Sequence, residues 1–439
     1  MLDKLRNVFQ VPELKRRILF TLALFVVYRL GEHMPTPGVN AKALAGAFES
    51  QRGTLFGLYD FFVGGAFSRA TVFALGIMPY ISSSIILQLL GAVVPYLEKL
   101  RKEGEEGQKK ITQLTRYGTV LISIVQSFAY SVFLVNMGAS HGVTVVPHPG
   151  VLFAISTVVT QTAGTIFVMW LGEKITEHGI GNGISLIIFL NIVGRMPNSA
   201  FAAYDSFRAG SLSLLTLLAA SVLGFFVTAS VVLMTQGTRK IPVQYAKRIV
   251  GRRMYGGANT HIPLRVNTAG VIPIIFGLSV MSLPTAVAGF VPPTHPLAAL
   301  GQWFSPRGAA YNIVYGLIVV FFTYFYTAVV LNPNDLAENM RKYGGFVPGI
   351  RPGRKTAEYI DRVLSRITLP GAVYLALIAT VPDMIMTSMG LPFLNFGGTS
   401  VLIVVGVALD TLQQIESHLL MRHYEGFVKR GRIRGRQRM

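Results

Sequence analysis

Two glycine-rich stretches are the first places in this chain where residue spacing could do chemistry, because closely spaced glycines can wrap a phosphate. Neither has the required form. Gly104-Glu105-Glu106-Gly107-Gln108-Lys109 has the wrong spacing for a nucleotide loop, and Gly179-Ile180-Gly181-Asn182-Gly183 follows a short charged loop instead of a strand. The eight His residues include no i, i+4 pair, so no helical metal site is expected. The chain has no Cys, which removes thiolate catalysis, disulfides and Cys-ligated metals. No cofactor is implied by any of these patterns.

The remaining chemistry is polar and sparse. The apolar runs are nearly free of charge, with Asp383 near a Pro break and Asp410 towards the inner end of the last run, whereas an ion-coupled carrier usually keeps ionisable groups at bilayer depth. Ser82-Ser83-Ser84, Gln88, Gln126, Thr160-Gln161-Thr162 and Asn191 can serve a path or simply hydrogen-bond helix to helix. A path lined mainly by aliphatic side chains suits a substrate that is varied and partly apolar.

The elements that must position these groups follow from composition. Apolar residues make up 51% of the 439 residues and charged residues only 14%, well below the share of roughly a quarter in soluble domains. Apolar segments recur at Ile18 to Leu30, Ala70 to Pro95, Tyr117 to Met137, Val151 to Leu171, Ile184 to Met196, Leu212 to Met234, Ala269 to Val291, Tyr311 to Leu331, Leu369 to Met389 and Thr399 to Leu419. A span needs about 20 mostly apolar residues, so the first and fifth segments must recruit their flanks. The expectation is an all-α integral membrane protein with ten spans. With the N-terminus inside, 33 of the 40 Lys and Arg fall on the inner side and 7 on the outer, so both ends are expected in the cytoplasm. The start lacks a small-x-small cleavage pattern and is read as a retained first span.

Two strings hint at internal symmetry. Gly76-Ile77-Met78-Pro79-Tyr80-Ile81 and Gly270-Val271-Ile272-Pro273-Ile274-Ile275 share Gly, Pro and the final Ile, and they sit five segments apart, as an inverted repeat of five plus five helices requires. Three identities in six can also arise by chance. The aromatic stretch Leu55 to Phe67, broken by Gly64-Gly65, is too short to span and suits a helix folding back into a cavity. An interfacial helix on the outer leaflet would satisfy the same pattern. Arg239 to Arg265 and Phe346 to Arg366 are basic and rich in Gly and Pro, which suits protruding structured loops that meet a partner, although basic loops also attract anionic lipid.

Ten strings in order carry a resemblance: Gly53-Thr54, Ser68 to Ala70, Ala74 to Ser82, Thr115 to Gly118, Met169 to Glu173, Gly179 to Ser185, Tyr245 to Arg248, Pro263 to Asn267, Phe346 to Gly353 and Gly397 to Ser400. Together they resemble the SecY family, the pore subunits of protein-conducting channels, and its bacterial branch most closely. The resemblance implies two five-helix halves around an hourglass pore, 1–205 and 206–439, with basic cytoplasmic loops at 236–268 and 333–367 and a basic tail at 420–439. It implies a pore ring of Ile77, Ile81, Ile184, Ile188, Ile275 and Ile403, positions that would otherwise be read as lipid-facing. A plug at 55–69 would include Phe56, Tyr59, Phe61, Phe62, Gly64, Gly65 and Phe67. A lateral gate for apolar signal sequences would use Pro79, Ser82, Gln88, Gln126 and Pro273, with each Pro bending its helix. Arg248, Arg252, Arg253, Arg351, Arg354 and Lys355 would dock the SecA motor ATPase or the ribosome, and the small membrane subunits SecE and SecG would complete a complex in the bacterial cytoplasmic membrane. Unfolded preproteins, signal sequences and membrane lipids are the other partners so implied. A passive channel for unfolded secretory polypeptides, and not an enzyme, is therefore the expected function. A secondary transporter with the same symmetry and, more distantly, a membrane-embedded enzyme are the rival readings.

Overall fold

Inside a bilayer a helix pairs its own backbone groups, so long apolar runs in this chain have one economical conformation. The computed structural model describes residues 11–48, 55–141, 144–245, 248–250, 253–255, 259–289, 308–390 and 397–430. The chain begins with α1 (Pro12–Gly31), α2 (Ala41–Phe48), α3 (Leu55–Phe62), α4 (Met78–Val93), α5 (Pro95–Lys102), α6 (Glu105–His141), α7 (Val151–His178), α8 (Gly183–Arg208) and α9 (Leu214–Gln236). It continues through β1 (Thr238–Tyr245), β2 (Arg248–Val250), β3 (Arg253–Tyr255) and β4 (Asn259–Arg265) to α10 (Ile272–Gly289), α11 (Ala309–Val330), α12 (Pro333–Lys342), β5 (Gly345–Phe346), α13 (Arg354–Ser388) and α14 (Gly398–Arg430).

Among the described residues seven helices are long and apolar enough to cross a membrane: α6, α7, α8, α9, α11 (counted together with α12), α13 and α14. The pair α4 and α5 raises the number to eight if taken as one span bent by 99°. All ten apolar segments form helices, and seven or eight of these helices meet the length and hydropathy requirement among the described residues. The first segment forms α1 by recruiting Pro12 to Arg17, and those charged residues dilute its apolar character. The fifth likewise extends to 26 residues as α8.

The second segment is helical only from Met78, because the preceding turns end at Gly76, whose φ of +55° a side chain would resist. Gly270 repeats this with φ of +63°, two residues before α10 begins. The expectation that Pro79 and Pro273 bend their helices is therefore corrected. Both lie in the first helical turn, where no N–H is needed and the fixed φ of Pro favours helix entry. The sharp bend sits instead at Pro95, the first residue of α5.

The all-α expectation is also corrected, since the chain forms two small sheets. β1 pairs antiparallel with β4 from Thr238↔Arg265 to Gln244↔Asn259, and its other edge takes β5. β2 and β3 form a separate two-stranded ribbon. Ile241 and Val243 alternate along β1 and point to one face, where Leu264, Met340, Val347, Ile360 and Leu364 complete a buried cluster. The two basic regions thus share one apolar core. The region 333–367 is accordingly helix, strand and helix, and α13 already begins at Arg354.

The helices pack through small polar faces as well as aliphatic ones. Thr115, Thr119, Ser123, Ser127 and Ser131 recur every four residues on α6 and are all buried. Side chains this small allow close helix approach without a hydrophobic drive.

Candidate functional site

One face of α8 organises the centre of the molecule. Ser185, Ile188, Asn191 and Arg195 follow one another at three or four residues, the spacing that keeps side chains on a single helical face. Asn182 caps the helix, its Oδ1 accepting from the N–H groups of Ile184 and Ser185 at 3.1 Å each. Around Asn182 and Ser185 opens a polar cavity of about 370 Å³ shared with Arg265 and the α14 residues Val407, Asp410, Thr411, Gln413, Gln414 and Ser417. Arg265 donates to Gln413 Oε1 at 2.7 Å and lies 3.9 Å from Asp410.

One turn along α8 the lining becomes wholly apolar. Ile77, Ile188, Ile275 and Ile403 come together with Phe62, Val63, Met78 and Leu278 around a cavity of about 10 Å³. That is about the space one water needs, and nothing polar lines it to hold that water. Along α14 the change from Ile403 to Asp410 takes seven residues, or roughly 10 Å of rise. The arrangement is a wide polar recess closing onto a dry constriction. Ile81 is buried in the same core cluster, whereas Ile184 is half-buried one turn towards the recess, its side chain against Gly172 of α7. Four of the six expected ring residues thus line the constriction itself. Val63, Met78 and Leu278 line it without being singled out in the sequence.

Phe62 and Val63 of the stretch 55–69 complete the lining of the constriction. Phe61, Phe62, Val63, Ala66 and Phe67 are all at most 6% exposed, so the segment folds back into the protein and does not lie on its surface. It divides its aromatics between two cores. Phe62 and Val63 line the constriction and Phe61 packs in the same core, while Phe56 and Phe67 pack against Phe133 and Tyr130 of α6 and Tyr59 meets Phe67 edge to face. Gly64 and Gly65, at φ of +74° and +85°, make the reversal. At Gly64 a Cβ would stand 2.6 Å from Glu32 Oε1 and 3.0 Å from Asn191 Oδ1, so both side chains would have to move, and the left-handed φ would strain any other residue there.

The expected gate residues take different roles. Ser82 of α4 and Ser279 of α10 meet hydroxyl to hydroxyl at 2.7 Å in a buried contact, which joins the two helices that begin with the repeated Gly-x-x-Pro strings. Gln88 does not cross: its amide donates to Ser84 Oγ one turn back on α4. Gln126 Oε1 is buried without a hydrogen-bond partner. Ser279 escaped sequence reasoning because one Ser in an apolar run carries no pattern.

Among the expected docking residues, Arg248 and Arg253 lie on the β2–β3 ribbon, and Arg252 lies outside the described residues. Arg354 and Lys355 both pair with Glu358, at 3.4 and 2.9 Å. Arg351 is exposed and makes no ion pair among the described residues. Its turn is defined by Gly349 and Gly353, at φ of +81° and +98°, and its carbonyl accepts from Thr356 Oγ1 at 2.9 Å.

The comparisons with known proteins agree with this geometry. The SecY family pattern matches residues 71–412. The chain is 46% identical to protein translocase subunit SecY of Escherichia coli over 426 residues, covering 96% of each. It is 44% identical to the subunit of the same name from Aquifex aeolicus over 432 residues, covering 98% of this chain and all of that one. Among solved structures, a protein-conducting channel superposes with a TM-score of 0.66 at 18% identity, covering 92% of this chain and 93% of the other. The channel of a canine ribosome–channel complex from the endoplasmic reticulum superposes with a TM-score of 0.61 at 17% identity, over 92% and 93% of the two chains. With a shared fold, a family pattern across most of the sequence and close relatives over its full length, the chain belongs to the SecY family.

Proposed function

We propose that this multi-pass membrane protein is the channel-forming subunit of a bacterial protein translocase, which passes unfolded polypeptides through the constriction and releases apolar segments sideways into lipid. The observation that carries this reading is the dry isoleucine collar between a polar recess and a folded-back segment. A ring of aliphatic side chains resists water and ions when empty, yet it can fit many side chains as a polypeptide passes. It needs no charged site, and the protein is a channel subunit and not an enzyme.

In this reading ten helices form two halves, 1–205 and 206–439, with opposite orientation in the membrane. Ile77, Ile188, Ile275 and Ile403 form the sealing layer of the collar with Ile81 and Ile184 flanking it, residues 55–69 form the plug, and the Ser82–Ser279 contact marks the lateral gate between α4 and α10. The shared core of the two basic loops supports a single cytoplasmic docking platform for a motor ATPase or a ribosome, and small membrane subunits equivalent to SecE and SecG complete the complex. Reporter fusions after Arg265 and Arg354 are expected to read cytoplasmic, and fusions near Lys42 and Arg307 external. The opposite pattern would reverse the orientation in the cytoplasmic membrane.

The absence of Cys makes the main test direct. Single Cys residues placed at Ile188 and Ile403 should crosslink to a stalled preprotein, while a Cys at lipid-exposed Phe225 should not. Equal crosslinking at all three positions, or none at the collar, would remove the constriction from the path.

A further inference from the structure

The folded-back segment has two kinds of contact, and they divide cleanly along the chain. Towards the second half, among the described residues, it meets only apolar side chains, Ile275, Leu278 and Ile403, around the constriction. Its polar contacts all run elsewhere. Asn191 of α8 donates to Phe62 O at 3.0 Å and Tyr130 of α6 donates to Phe67 O at 2.6 Å, and just beyond the segment Gln161 of α7 donates to Thr71 O at 2.8 Å. Asp60, 3% exposed, accepts from Ser68 N–H at 2.7 Å and pairs with Arg195 of α8 at 2.9 Å. The Arg195 guanidinium also covers the Phe61 ring at 5.8 Å. Among the described residues, every hydrogen bond and ion pair leaving this segment ends on a residue before the close of α8.

We infer that Asp60, Asn191 and Arg195 form a polar clasp that latches the plug to the first half of the protein. The plug therefore stays with that half when the halves part, and leaves the pore only when the clasp breaks. The inference rests on the channel reading and deepens it by assigning positioning residues for the seal. The order of events follows from the bonds. Parting the halves strips the plug of non-directional apolar contacts, which an entering apolar segment can replace. Moving the plug away from α8 separates a largely buried ion pair, and a charge left without its partner in such a place is costly. Opening thus has two steps, with the clasp controlling the second.

The test uses the full chain assembled in its membrane complex. Ala66→Cys puts a single thiol in the plug at a position with no exposure at rest, so labelling by a membrane-impermeant maleimide reads how often the plug is out. In that background Asp60→Asn and Arg195→Gln should each raise the labelling rate on the order of tenfold. The double variant should label no faster than the faster single one, because both remove the same pair. Arg195→Lys keeps the charge and should stay near the parent rate. A synthetic apolar signal peptide should increase labelling in the Asp60→Asn protein more than in the parent. Unchanged rates in both single variants, additive rates in the double, or equal labelling of Arg195→Lys and Arg195→Gln would overturn the clasp. If the charge variants fail to assemble, Asn191→Ala decides: raised labelling supports the clasp and an unchanged rate overturns it. Crosslinking of a stalled preprotein to the collar is scored in parallel. Intact collar crosslinks with unaltered labelling reject the clasp alone, whereas missing collar crosslinks reject the channel reading.

Discussion

Replacing Ile403 or Ile188 by Ser raises the ion conductance of the resting protein in a planar bilayer, while preprotein transport continues. Both side chains are almost fully buried in the closed state, at 0% and 3% exposure. Truncating a buried aliphatic residue of this size costs about 2–5 kcal/mol, because transfer energy is lost and a cavity remains. In the open channel the same position faces water, so the cost falls on the closed state alone. Even about 2 kcal/mol shifts the balance towards open by a factor of about 30. The added hydroxyl also gives water a hydrogen-bonding site in a constriction that is otherwise dry. Ile184→Ser is the informative comparison. Ile184 is half-buried and packs against Gly172, away from the constriction lining, so its replacement should leak much less. Single-channel recordings that show equal leak for positions 184, 188 and 403 would mean that the seal is not made where four isoleucines converge.

Changing Arg351 to Glu abolishes motor-driven or ribosome-coupled translocation and leaves the resting conductance unaltered. The two neighbouring basic residues, Arg354 and Lys355, spend their charge on Glu358 within the same helix. Arg351 has no such partner among the described residues, and it sits on a turn held by two glycines in left-handed conformations and by the Thr356 hydroxyl. A guanidinium presented on a rigid turn can bind a carboxylate or phosphate with two parallel hydrogen bonds. A central contact of that kind is worth about 2 kcal/mol or more, so its reversal should weaken docking at least about 30-fold. Lipid attraction alone predicts about 1 kcal/mol for any basic residue near the surface, with no preference for position 351. Lys355→Glu separates the two views. It should be mild, and equal defects at 351 and 355 in a translocation assay would rule out a specific docking contact.

Much of this architecture was legible in the residues because the bilayer imposes simple rules on sequence. Apolar runs and the split of basic residues pointed to a multi-spanning membrane protein. The Gly-x-x-Pro strings were also legible as a repeat, and both prove to be the same device, a left-handed Gly followed by a helix that starts one residue before Pro. Their effect was misjudged, since Pro bends a helix only where an N–H is missed, and neither first turn misses one. The sheets were hidden for a related reason. Ile241 and Val243 look like scattered apolar residues in a basic loop until Met340, Val347 and Ile360, about a hundred residues later, supply the other side of their core.

What the sequence by itself determined was therefore whatever depends on period, length and charge: the helices, the basic loops and, through ten ordered strings, the family, whereas the burial of the aromatic stretch 55–67 had to come from the structure. Only the tertiary structure decided which isoleucines meet, because an apolar residue facing lipid and one facing a pore are alike in sequence. Ile184 and Ile188 lie one helical turn apart on α8, yet only Ile188 lines the constriction. The pairing of Asp60 with Arg195 and of Ser82 with Ser279 was equally out of reach. One charge or one hydroxyl has no periodicity, and its partner is chosen by how distant helices pack.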